Sequence, residues 1–322
     1  MSARSKTLCI LLSAVLLTSV ALAGTAYTKG DVFASIGSGS VNEFMPTGTL
    51  VQTLVDGQGG FTTGSAFDAA GNFYVTNFSA GTISEFDSSG NLVNATFVSG
   101  LSSPESISFD KAGNLYVGQA SSNQIKEFNA AGTLINTFTV ATQDRGTDWI
   151  DLQANQSTIL YTSEGTSILS FDTATNTQNA DFATGLPGNN AFALRALANG
   201  DVLVADSSNA LLLSPTGTIL TTYNLPGNAG GDFALNIDPN GTDFWTGDFS
   251  SGNIWEVNIA SGAIDNQFSS HSFSLFGLSV FGQITQGGGG GGGAVPEPAS
   301  LALMGTGIAA LGLTRKLRIF RG

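Results

Sequence analysis

One cysteine, one histidine and eleven basic residues in a chain of 322 set the first limits. The cysteine, Cys9, lies in an apolar run ahead of the small-residue box Ala21-Leu22-Ala23. A chain cut after that box has no thiol, which excludes disulfides, thiol nucleophiles and cysteine-held metals. His271 is the sole imidazole and no Gly-x-Ser-x-Gly elbow accompanies it, so a Ser-His-Asp arrangement has little to build on. No phosphate-cradling loop is present, since the one long glycine run, 287–293, is not followed by Lys or a helix start. Charged residues make up 11% of the chain and the formal net charge is −13, which argues against nucleic acid as a partner.

What is present reads from the ends inward. Arg4 and Lys6 precede the apolar run LCILLSAVLLTSV, and with Ala21 and Ala23 placed for cleavage, residues 1–23 form a signal peptide. The run is too short for a confident membrane span, and Cys9 lies upstream of the cleavage box, out of place for a lipid anchor. Of the basic residues, Lys29, Lys111, Lys126, Arg145 and Arg195 remain once both terminal segments are set aside, against nearly all of the 24 acidic ones. The exported part is strongly acidic.

Between the ends the chain repeats itself. Taking the second strand of each unit as the anchor, Phe33, Tyr74, Tyr116, Tyr161, Leu203 and Trp245 follow one another at 41, 42, 45, 42 and 42 residues. A third strand follows each anchor (VNEF, ISEF, IKEF, ILSF, LLL, IWEV) and a fourth follows that. Runs of β-branched and aromatic residues separated by Gly, Asn, Ser and Asp clusters read as short strands and tight turns. Four strands recurring six times near a 42-residue period predict a six-bladed β-propeller over residues 24–286. Inner strands precede anchors two to six as GSAFD, ESISFD, DWIDL, FALRAL and FALNID, whereas the first anchor has none. Its partner is expected from FSLFGLSVF (273–281), so pairing of N- and C-terminal strands closes the ring and leaves no long open edge.

Side chains that recur invite a structural reading first. Asp68, Asp110 and Asp238 precede AAGN, KAGN and PNGT, where a short carboxylate accepts backbone N–H groups and Gly takes positive φ. Glu43, Glu85, Glu127 and Glu256 recur in the third strand and are expected to face solvent. Trp149, Trp245 and Trp255 suit packing between blades, with Trp149 the best candidate for an aromatic exposed at the channel mouth.

After the propeller the composition changes. Seven glycines open a spacer (287–294) that has nothing to bury. Residues 295–322 then carry Pro296-Glu297-Pro298, an apolar stretch from Leu301 to Leu313 and the basic residues Arg315, Lys316, Arg318 and Arg321, which together read as a short membrane-inserted helix with its tail in the cytoplasm. This order resembles the PEP-CTERM sorting signal of bacteria that make exopolysaccharide. The resemblance implies export, transient anchoring in the inner membrane, and processing by an exosortase near the PEP motif for release or attachment at the surface.

The repeats resemble two further groups. Tyr74-Val75-Thr76-Asn77 spells the YVTN surface-propeller motif, and FDxxGNxYV, at Phe67 to Val75 and Phe109 to Val117, is similar to NHL repeats and the gluconolactonase group. In the latter, the resemblance implies a divalent metal in the central channel, held at the starts of inner strands, with a carboxylate assisting water attack on a lactone. The matching places here are Glu105, Asp148, Asn190 and Asp232, an oxygen set suited to Ca²⁺ or another hard divalent ion. Glu105 nonetheless lies in SPESIS, not in the Gly-Glu-Gly-Pro setting of that group. The expectation taken first is a non-enzymatic binding or structural module of the cell surface, exopolysaccharide or biofilm matrix, partnered by polysaccharide or surface proteins; the alternative is a metal-dependent, lactonase-like hydrolase.

Overall fold

The computed structural model describes residues 24–228 and 231–290; the expected leader and sorting segment lie outside the described residues. The described residues form 24 strands in six four-stranded antiparallel sheets. Each sheet after the first is made of four consecutive strands, and the first takes its inner strand from the far end of the chain. Leu275–Val280 pairs with Val32–Ile36, in the register Val32 to Val280 and Ala34 to Leu278. The predicted closure is therefore the observed one.

Local chemistry explains the hairpins. Asp68 Oδ1 accepts the backbone N–H groups of Ala70 and Asn72, both at 2.9 Å, and the intervening Gly71 has φ of 88°. Asp110 and Asp238 accept from Asn114 (2.7 Å) and Asn240 (2.9 Å) in the same way. A carboxylate so used caps a turn; it is not available to a cation.

Six hydrophobic clusters hold the disc, five of them shared by two consecutive blades and the other, which joins Trp149 of blade 4 to blades 5 and 6, by three. A four-stranded sheet has two faces to cover, so each blade is stable only against its neighbours. All three tryptophans are buried in these clusters or against them, Trp149 included at 1% exposure, which overturns its candidacy as an exposed aromatic. The third-strand glutamates also depart from expectation. Glu43 and Glu127 are buried, because each is paired across the sheet with the anchor aromatic, Phe33 or Tyr116, and shares its direction into the gap between blades. Gln52 donates to Glu43 at 2.6 Å and Asn136 to Glu127 at 2.7 Å. Burial holds Glu43 above the ordinary carboxylate range, with Asp31 adding to the effect and Gln52 opposing it.

The six inner strands, Thr62–Phe67, Pro104–Phe109, Ile150–Leu152, Ala191–Ala196, Asp232–Ile237 and Leu275–Val280, line the channel in one direction. Cross-links between neighbours fix this: Thr63 Oγ1 donates to Pro104 O (3.0 Å), Ser106 Oγ to Asp148 O (2.6 Å) and Asn236 Nδ2 to Leu278 O (3.2 Å), always at matching heights. Their N-terminal ends thus share one mouth and their C-terminal ends the other.

The second mouth is closed by the chain itself. Gly288 N donates to Phe109 O at 2.6 Å and Gly290 N to Phe67 O at 3.0 Å, while Gln156 Nε2 donates to Gln286 O at 2.8 Å. Beneath this strap remains a cavity of about 10 Å³ lined in part by Ser108, Asp151, Arg195 and Gln283. The first glycines of the run are therefore docked, not merely a spacer. A Cβ on Gly287, Gly288, Gly289 or Gly290 would overlap the carbonyl oxygen of Phe109, Asp110, Phe67 or Gln283 respectively. Glycine is needed here for close approach, as well as for the positive φ of Gly289 (87°) and Gly290 (95°). Gly288→Ala is expected to cost ~1–2 kcal/mol, in the usual range for a strained site, read as a fall of several degrees in melting temperature by calorimetry; an unchanged transition would show the strap to be dispensable.

Candidate functional site

The open mouth is shaped by bulges. In the inner strand of blade 3 the register slips between Pro104 and Ser106, leaving Glu105 as the extra residue. Phe233 and Phe276 hold the same place in blades 6 and 1, and Thr63 and Phe192 lie within the equivalent irregularities of blades 2 and 5. A bulge re-aims the side chain it carries. Blade 4 is different: its inner strand is cut to Ile150–Leu152 and its outer strand to Thr177–Gln178, and loops replace what is lost. The extra three residues in the spacing between Tyr116 and Tyr161 fall here.

Those loops carry the charge. Glu105, Asp148 and Glu164 bring one carboxylate oxygen each within 4.8 Å of one another, with Glu105 and Asp148 buried at 2% and 1% exposure. Arg145, from the loop entering blade 4, forms an ion pair with Glu164 and lies 3.7 Å from Glu105 Oε2. Its guanidinium carbon also sits 5.8 Å from the ring centre of Phe78. Apart from the hydrogen bond that the Asp148 and Glu105 carboxyl groups make with each other when one of them holds a proton, neither Asp148 oxygen nor Glu105 Oε2 has a partner in the protein. Burial drives the Asp148 carboxyl far above the ordinary range; Glu105 and Glu164 add repulsion and Arg145 opposes it. Glu105 rises for the same first reason, with Arg145 drawing it back and Glu164 pushing it further.

The framework under these groups is stiff. Asp144 and Arg145 both donate backbone N–H groups to Ser163 O at 3.1 Å, and Gln143 N donates to Ser163 Oγ at 2.9 Å. Glu164 adopts a left-handed φ of 48°, a conformation that costs a non-glycine residue on the order of 1 kcal/mol or more. Asn190 Nδ2 donates to Glu164 O at 2.9 Å and so fixes that turn.

Of the four residues expected to hold a metal, the structure brings together Glu105 and Asp148. The carboxylate group adds Glu164 and does not include Asp232; Asn190 lies beside it, its Nδ2 donating to Glu164 O. Asp232 is fully buried at the blade 6 part of the same end, with neither oxygen hydrogen-bonded, and is pushed up to about 8 by burial and then by Asp248 and Asp206. Glu164 and Arg145 escape a reading based on inner-strand starts because they lie in loops. The signal that could have found them is the break in period at blade 4.

Deeper in the channel a second pair is satisfied internally. Asp151 Oδ2 accepts from Ala196 N (2.8 Å), and buried Arg195 donates through Nε to Asn236 Oδ1 (3.1 Å) and through a terminal nitrogen to Leu194 O (2.9 Å). These groups brace neighbouring blades and have little left to offer a ligand.

Comparison with known proteins agrees at the level of fold and of the C-terminal segment. A chain in the crystal structure of a nidogen/laminin complex superposes with a TM-score of 0.64 at 16% identity, covering 79% of this chain and all of that one. The WD40 β-propeller domain of Doa1 gives a TM-score of 0.59 at 15% identity, covering 77% of this chain and 81% of that domain. Virginiamycin B lyase from Staphylococcus aureus gives 0.51 at 16% identity, covering 65% and 69%. At such identities the likeness concerns the fold alone. No curated protein matches the chain by sequence. Residues 294–316 match the PEP-CTERM protein-sorting motif, which implies an exported bacterial protein that an exosortase processes and whose C-terminus is held transiently in a membrane. The chain is a six-bladed β-propeller followed by a PEP-CTERM protein-sorting motif.

Proposed function

We propose that this protein is a non-enzymatic binding module displayed at the cell surface or in the extracellular matrix, and that the open mouth of its channel is the recognition face. The observation that carries this reading is Asp148. Burying a carboxyl group whose one neighbouring donor is another carboxyl, that of Glu105, is costly, and Asp148 stands with Glu105 and Glu164 at one mouth while the other mouth is strapped shut. An incoming donor or cation would offset that cost. With 23 of the chain's 24 acidic residues and only five basic ones between residues 24 and 290, the surface also favours a cationic or neutral partner.

The test is to add labelled domain, residues 24–290, to cells of the producing bacterium that lack the protein. Its ring is complete without either terminal segment. Saturable coating, lost in Asp148→Asn, is the expected result; coating that ignores the substitution would remove the mouth from the account.

The spacing of the carboxylates favours a second reading. Glu105, Asp148 and Glu164 could hold a hard divalent ion, which would supply a Lewis acid for a lactonase-like hydrolysis. Arg145 weighs against it, since its guanidinium already neutralises two of the three groups. Asp232 stands outside the cluster and adds no ligand to it.

A further inference from the structure

The half of the open mouth away from the carboxylates is built of phenylalanine. Phe192, Phe233 and Phe276 come from the bulged starts of three inner strands, Phe249 from the turn after Asp243–Asp248, and Phe61 from the residue before Thr62–Phe67. Their rings form one continuous crescent, with centroid separations of 4.7 Å (Phe192 to Phe233), 5.7 Å (Phe233 to Phe249), 5.1 Å (Phe249 to Phe276) and 4.7 Å (Phe276 to Phe61). None of the five belongs to any of the six clusters that hold the blades together. Phe61 is 41% exposed, and Phe192, Phe249 and Phe276 are partly exposed. Packing of the disc does not account for them, and a contiguous apolar surface rimmed by charge marks a binding site.

The chemistry of the two halves restricts the occupant. Phenylalanine offers apolar contact and a ring face attractive to cations, but no hydrogen-bond donor or acceptor. A crescent of this kind suits hydrocarbon and aromatic side chains better than the hydroxyl-rich faces of a saccharide. Across the mouth the three acidic side chains outnumber their one guanidinium, and Asp148 has no partner beyond the carboxyl of Glu105. Arg145 already shows the arrangement on a small scale, a cation held between carboxylates and the ring of Phe78. We propose that the mouth binds a partner polypeptide through a basic residue flanked by apolar or aromatic ones, the basic head pairing with the carboxylate group at Glu164, its half-buried member, with Asp148 and Glu105 behind it, and its neighbours lying on the crescent from Phe61 to Phe192. This rests on the reading of the mouth as a recognition face and narrows it to one class of partner.

Calorimetric titration of the closed domain with three blocked peptides tests it: Ala-Phe-Lys-Phe-Ala, the same peptide with alanines for both phenylalanines, and the same peptide with norleucine for lysine. The first is expected to bind, and each of the others at least tenfold more weakly. Asp148→Asn and the double variant Phe249→Ala, Phe276→Ala should each lose tenfold or more; where the double variant fails to fold, Phe61→Ser at the exposed end of the crescent takes its place with a smaller loss. Equal affinity for the alanine or norleucine peptide, or no binding of the first peptide, overturns the proposal. Coating of cells that depends on Asp148, without peptide binding, would overturn the partner class and leave the binding module standing. Loss of both would overturn both.

Discussion

A chain ended at Gln267 is expected to lose its cooperative unfolding transition and to elute as aggregate. The cut removes the strand Leu275–Val280, which pairs with Val32–Ile36 and belongs to the inner ring between blades 6 and 2. Leu275, Leu278 and Val280 are fully buried in the cluster shared with Val32, Ala34, Phe44 and Trp245. At ~1.5–3 kcal/mol for each buried aliphatic side chain, the loss is ~5–9 kcal/mol, set against a total stability of about 5–15 kcal/mol for a typical protein. The cut also leaves Val32–Ile36 as an open edge, a template for pairing with other chains. Calorimetry and size-exclusion chromatography decide the matter. A soluble monomer with a single transition near that of the parent would mean that the ring closes some other way.

The second large effect is on pH dependence. Asp232 is buried without hydrogen bonds, and its carboxyl is pushed up to about 8 from 3.8 by burial and by Asp248 and Asp206. The folded state therefore keeps a proton that the unfolded chain gives up near pH 4. Over that interval the folded state binds more protons than the unfolded one, so stability is present at low pH and falls as pH rises from about 4 towards 8. Asp148 and Glu105, raised by burial in the same direction, add to the fall. A tenfold change in the unfolding constant is worth ~1.4 kcal/mol, and Asp232 alone is expected to account for at least that much. The melting temperature should thus drop by several degrees between about pH 5 and pH 9, and Asp232→Asn should flatten the profile by being the more stable chain at the alkaline end. A profile that rises with pH, or an Asn variant that parallels the parent, would contradict the assignment. The same measurement addresses the metal reading: millimolar CaCl₂ or MnCl₂ at about pH 8 should raise the melting temperature of the parent and of Asp232→Asn, and leave Asp148→Asn unmoved, if the carboxylates at the mouth hold an ion.

The sequence carries the blades plainly because each rests on local chemistry repeated six times: an Asp that caps a turn, a Gly with positive φ, an aromatic anchor in the second strand. Ring closure was legible too, since the first anchor lacks an inner strand and FSLFGLSVF is left over. The site was half legible. Glu105 and Asp148 could be placed by counting along inner strands, but counting gives height in the channel and says little about direction where a bulge intervenes. Asp232 has a suitable height yet stands outside the carboxylate group, while Asn190 donates to the Glu164 backbone beside it. Glu164 and Arg145 belong to loops joined across 19 residues, and the phenylalanine crescent gathers five residues from four blades. Such juxtapositions exist only once the ring has closed. The third-strand glutamates misled for a related reason, because the alternation that marks one face of a sheet as polar assumes water on that face, and in a propeller both faces meet another blade.

The glycine strap across the second mouth fixes the side of the disc from which the chain leaves. The polypeptide departs from the rotation axis of the ring, at Gly290, on the side where the inner strands end. Only residues 291–300 separate that point from the apolar stretch beginning at Leu301, a reach of ~35 Å at full extension. The carboxylates and phenylalanines lie at the opposite mouth from the one at which the chain leaves the disc.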